Sequence, residues 1–86
     1  MITNYMEIVV EDILASVLKE HKLACDCEIC IADVKAITLN NVKPMYVVSN
    51  KGLMYNKLNE LNMQFKADVV AQLMNSIKIV EAKPSH

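Results

Sequence analysis

The sequence predicts an all-α fold: a small domain of three main helices with one short extended segment. Three observations point there. Apolar residues recur every three or four positions along long stretches, which is the helical period. The 86 residues contain one glycine and two prolines, fewer turn formers than a sandwich or barrel of many short strands requires. Apolar residues make up 53% of the chain and charged residues 22%, too apolar for a disordered segment. Residues 1–86 are expected to form a single domain. A domain near this size buries only about 60–65% of its unfolded surface. The apolar fraction exceeds what one small core hides, which points to a homodimer.

The first helix is read over residues 4 to about 22. Asn4 with Glu7 three residues on fits the capping-box pattern, asparagine replacing the usual hydroxyl residue. Met6, Val9, Val10, Ile13, Leu14, Val17 and Leu18 follow at helical spacing, and Lys19 and Lys22 complement the dipole at the far end. Residues 23–30 form a cysteine loop. A second helix is expected from about Cys30 to Val42, with Ile31, Val34 and Ile37 on one stripe. Pro44 prevents its continuation, because the residue before a proline avoids the helical region.

Met45-Tyr46-Val47-Val48-Ser49 is β-branched and aromatic and reads as extended. The following Ser49-Asn50-Lys51-Gly52 has turn composition and carries the chain's single glycine. The last element is the longest. Leu58, Leu61, Phe65, Val69, Leu73, Ile77 and Val80 make a continuous apolar stripe with no glycine or proline inside. At about 1.5 Å per residue it spans roughly 35 Å. Two shorter helices are not expected to cover it, so the dimer interface is placed on residues 58–80. Val70 and Met74 add part of a second stripe.

Charge excludes several functions. The net charge is −1 and all nine basic residues are lysines, whereas a DNA-binding face is normally basic and uses arginine for bases and phosphates. No DNA partner is expected. No apolar run has the length of a membrane span. Glu7, Glu11 and Asp12 interrupt the N-terminal apolar residues, unlike a signal peptide. The chain reads as cytoplasmic, with no membrane partner.

Cys25, Cys27 and Cys30 are the only cysteines, spaced C-x-C-x₂-C. An odd number in a reducing compartment argues against a disulfide framework. Three thiols within six residues are placed to converge on one ion, and Cys₃His is a common structural zinc set. A helix beginning near Glu28 would set Cys27 and Cys30 at its N-terminal turn, where the dipole favours thiolate. The other readings are unliganded thiols or a redox pair. His21, His86, Asp26 and Glu28 remain open as a fourth ligand.

Taken together, Cys25-x-Cys27-x₂-Cys30-x₂-Asp33-Val34-x-Ala36-x₂-Leu39-Asn40, then Pro44-x-Tyr46-Val47, resembles the signature of the late competence development protein ComFB family. The pattern covers residues 24–48, and the flanking helices fit the same short domain. The resemblance implies an all-helical homodimer, a structural zinc in cysteine-bearing members, and a receptor for cyclic di-GMP or cyclic di-AMP. Cysteine-bearing members can supply a fourth cysteine near their C-terminus. This chain has none, and His86 stands close to that place, so it is preferred over His21. The family name denotes a competence gene neighbourhood rather than DNA handling.

On the receptor reading, residues 33–55 supply the ligand contacts. Lys43 and Lys51 would meet phosphates, and Ser49, Gly52 and the turn backbone would donate to phosphate oxygens. Tyr46 or Tyr55 would stack on a base, and Asp33 or Asn40 would read a base edge. Each has an ordinary alternative: Asp33 in a cap or salt bridge, Asn40 closing a helix end, Tyr46 in the core, Lys51 a solvated turn lysine. A second function class is a zinc-stapled dimeric adaptor that binds a downstream protein and no nucleotide. An enzyme is the weakest reading, because no nucleophile stands beside a base and a filled zinc shell leaves no position for water.

Overall fold

The computed structural model describes residues 2–23, 27–48 and 61–83. In chain order these form strand β1 (Ile2–Asn4), helix α1 (Tyr5–Glu20), helix α2 (Glu28–Asn40), strand β2 (Tyr46–Val48) and helix α3 (Met63–Ala82). The three-helix expectation is met. The expectation of a lone extended segment is corrected: residues 46–48 pair antiparallel with the N-terminus in the register Ile2↔Val48, Thr3↔Val47 and Asn4↔Tyr46. Ile2-Thr3-Asn4 is too short for its alternation to read as a strand, and only a partner elsewhere in the chain makes it one.

Asn4 joins the two kinds of structure. Its Oδ1 accepts from the Met6 amide at 3.1 Å, capping α1, and from the Met45 amide at 2.8 Å. The Tyr5 amide donates in turn to the Met45 carbonyl at 2.6 Å. One side chain therefore satisfies an orphan donor of a helix end and fixes the chain just before β2.

The core is built where the helical stripes meet. Val9, Val10 and Leu14 of α1 and Val69, Leu73 and Ile77 of α3 are all buried. Burying each such side chain contributes about 1.5–3 kcal/mol. The α3 stripe is thus covered by the chain's own α1 and α2, against the expectation that it faces a partner. Val70 and Met74 are half-buried and packed on the same core. α1 supplies more cover than a single stripe would, because Tyr5 and Ile8, outside the stripe that begins at Met6, are also buried at its N-terminal end. Leu61 precedes α3 rather than lying in it; Asn62 is the cap, its side chain accepting from the Phe65 amide at 2.7 Å. Leu58 lies outside the described residues.

On α2 the buried line is Cys30, Val34 and Thr38, rotated from the predicted Ile31–Val34–Ile37 stripe, whose two isoleucines are half-buried. The rotation brings a hydroxyl into the core. Thr38 Oγ1 lies 2.8 Å from the Val34 carbonyl and 2.9 Å from Ser76 Oγ of α3. Ser76 Oγ lies 2.9 Å from the Gln72 carbonyl. Each hydroxyl uses its own helix's carbonyl, so neither is left unsatisfied by burial.

Candidate functional site

A cleft of about 640 Å³ opens where the end of α2, the chain leading to β2, and α3 come together. Its size falls in the range of small-molecule sites. Asn41, Val42, Lys43, Pro44 and Met45 form one wall; Phe65, Asp68, Val69 and Gln72 form the other. The first wall is held at both ends. The Asn41 amide group donates to the Ile37 carbonyl at 2.7 Å, closing α2, and the bonds from Asn4 and Tyr5 hold Met45. Pro44 supplies no amide donor and fixes its own φ. The second wall belongs to a helix anchored by Val69 and Leu73 in the core. On it, Gln64 Nε2 donates to Asp68 Oδ1 at 2.9 Å, which orients the carboxylate. Among the described residues the cleft therefore presents one cation, Lys43, one anion, Asp68, the amides of Asn41 and Gln72, and the ring of Phe65.

Of the expected ligand residues that are described, Lys43 alone lines this cleft. Asn40 is the last residue of α2 and exposed, and the role foreseen for it, closing the helix end, belongs to Asn41. Tyr46 is 66% exposed on β2 rather than in the core. Asp33 is half-buried on α2, and its Oδ2 has no hydrogen-bond partner; it is not a cap. Ser49, Lys51, Gly52 and Tyr55 lie outside the described residues. Asn41, Phe65, Asp68 and Gln72 were not foreseen. The distant pair Asp68 and Gln72, one turn apart on α3, was readable as one polar face. Nothing local indicated which wall it would meet.

The family follows from comparison with known proteins. The family model for the late competence development protein ComFB matches residues 3–84. The chain belongs to the ComFB family. The competence protein ComFB of Bacillus subtilis (strain 168) is 33% identical to it over 85 residues, covering 99% of this chain and 87% of that protein. A solved structure of the late competence protein ComFB from Bacillus subtilis matches with a TM-score of 0.84 at 33% identity, covering 99% of this chain and 93% of that one. The resemblance stated on residues 24–48 thus extends over nearly the whole chain.

Cys27 and Cys30 occupy the opposite end of α2. Cys27 is the N-cap, in extended conformation and with no side-chain capping bond, and Cys30 is the third residue of the helix. Cys27 is half-buried and Cys30 buried. Among the described residues no three His, Cys, Asp or Glu side chains form a metal-holding group. His21 Nε2 is buried without a hydrogen-bond partner, yet His21 does not complete such a group with Cys27 and Cys30. Cys25 and His86 lie outside the described residues. Two sulfurs on one helical turn are a compatible half of a Cys₃His shell. Also among the described residues, no helix is long and apolar enough to cross a membrane.

Proposed function

We propose that this ComFB-family chain is a receptor for a cyclic dinucleotide, cyclic di-GMP or cyclic di-AMP, and not an enzyme. The cleft carries this reading. Its volume suits a compact nucleotide, Lys43 offers a phosphate partner, Phe65 a stacking face, and Asp68, Asn41 and Gln72 offer groups for base edges. A carboxylate such as Asp68 suits the ring and amino N–H donors of guanine, which adenine lacks in that pattern. The residues beyond β2, including Ser49, Lys51, Gly52 and Tyr55, would add further contacts.

The proposal includes a structural zinc held by Cys25, Cys27, Cys30 and His86. It would fasten the first turn of α2 to the chain end and supply no open coordination position for chemistry. It also includes a two-fold homodimer in the cytoplasm, supported by the exposed apolar face of the β1–β2 pair, where Ile2, Tyr46 and Val48 lie together.

The same face favours a second reading, an adaptor that binds a downstream protein through the ribbon and takes no nucleotide. Isothermal titration separates the two. Saturable one-to-one binding of either dinucleotide by the wild type, weakened about tenfold or more in Lys43→Ala, supports the receptor; a charge-assisted hydrogen bond contributes about 1.5–3 kcal/mol. No heat with either dinucleotide leaves the adaptor.

A further inference from the structure

We propose that the groove between α1 and α3 is a docking site for an amphipathic helical segment of a partner protein, with basic residues along one flank and an acidic residue on the other. The groove has a volume of about 330 Å³. Among the described residues it shares none of its lining with the cleft. Its floor is apolar: Ile13 is buried, and Val17 and Val70 are half-buried. Asp12, Ser16 and Glu20 stand exposed along the α1 rim. They recur every fourth residue, so they rise on successive turns and set the two carboxylates about 12 Å apart along the helix axis. The α3 rim carries the opposite sign, from the half-buried Lys66 one turn before Val70.

Charge complementarity names the occupant. α1 carries Glu7, Glu11, Asp12 and Glu20 against a single base, Lys19, all of them exposed, in a chain whose net charge is −1. The acidity is therefore concentrated on this helix. An apolar floor between two helical rims suits a third helix laid lengthwise, its apolar residues at three- and four-residue spacing resting on Ile13, Val17 and Val70. Lysines or arginines seven or eight residues apart on that helix lie about 10–12 Å apart, so they meet Asp12 and Glu20 together. An acid on its other flank meets Lys66. A uniformly basic segment would set a cation against Lys66, and a uniformly acidic one would set anions against Asp12 and Glu20. The opposite signs of the two rims therefore select a segment with one flank of each sign and fix the direction in which it runs. The inference does not rest on the receptor reading, and the surface is not the β1–β2 ribbon.

The test is fluorescence anisotropy of three labelled synthetic helices titrated with the full chain. Each has about twenty residues, enough to form a helix in water, and one leucine stripe. The first has lysines along one flank of the stripe and glutamates along the other. The second has the same composition with the charges interleaved on both flanks, and the third has glutamates on both flanks. The wild type is expected to bind the first helix saturably and at least tenfold more tightly than the other two. Ser16→Arg sets a cation between Asp12 and Glu20 and fills the rim. It is expected to weaken that binding at least tenfold with the helical circular dichroism unchanged. Asp12→Lys with Glu20→Lys makes the rim charges positive and is expected to prefer the third helix. Glu7→Gln with Glu11→Gln removes two carboxylates that do not line the groove and is expected to bind as the wild type does. No binding of the first helix, or equal binding of the first and second, overturns the proposal. So does a double-lysine variant that still prefers the first helix, or a loss in Glu7→Gln with Glu11→Gln as large as that in Ser16→Arg.

Discussion

Asn4 is the side chain on which the cleft wall depends. One carbonyl oxygen accepts from Met6 and from Met45, so truncation removes a helix cap and a tertiary bond together. Asn4→Ala should cost about 1–2 kcal/mol. In a domain of this size that lowers Tm by about 4–8 °C per kcal/mol. A thermal melt of the variant that overlays the wild type would show that neither bond stabilises the fold. Lys43 has the opposite profile: it is exposed on the wall, so Lys43→Ala should leave Tm within about 1–2 °C, since surface substitutions usually stay within about 0.5 kcal/mol. Its effect belongs to dinucleotide affinity, as titrated above.

The three helices were legible because their apolar residues repeat at a period the backbone itself dictates. Asn4 was legible as a cap by residue type. The start of α3 was not, because Leu58 and Leu61 continue the stripe while Asn62, four residues into it, is the cap. A periodic pattern records which side is apolar, not where the backbone starts to turn. The cover over that stripe was misjudged for a related reason. Tyr5 and Ile8 widen the buried side of α1 beyond the stripe that begins at Met6, and a comparison of helix lengths gives that second side no weight. The cleft was only partly legible: Lys43 and Pro44 announce an irregular wall, but Phe65, Asp68 and Gln72 reach it through tertiary packing. At this scale Leu73, fully buried at the centre of α3, sets the stability. Leu73→Ala should cost about 2–5 kcal/mol, measured as a lower urea midpoint with an unchanged slope. A loss below about 1 kcal/mol would mean that α3 is held from elsewhere.

For the whole molecule, the exposed ribbon carries the dimer expectation that α3 does not. Light scattering at micromolar protein should give twice the 9.7 kDa chain mass, and Val48→Lys should return the single mass while the helical circular dichroism is kept. A wild type at the single mass would remove the dimer from the proposal. Removing metal with a chelator should release one zinc per chain and lower Tm steeply; a zinc-free preparation with the same Tm would argue against the staple. The Thr38–Ser76 contact has its consequence here as well. The two hydroxyls have one proton each to share among three contacts. A proton bridges the two helices when both point toward Val34 or both toward Gln72; when each donates to its own helix's carbonyl, the contact between the two hydroxyl oxygens carries none. Sliding α3 along α2 by even part of a turn would break either cross-helix bond between these two buried hydroxyls. The two helices therefore act as a fixed index, and adjustment to a bound molecule falls to residues 41–45. In deuterated water the amides of Val34, Thr38, Gln72 and Ser76 should exchange only through global unfolding, while those of Val42 and Lys43 exchange by local opening and slow when the cleft is filled.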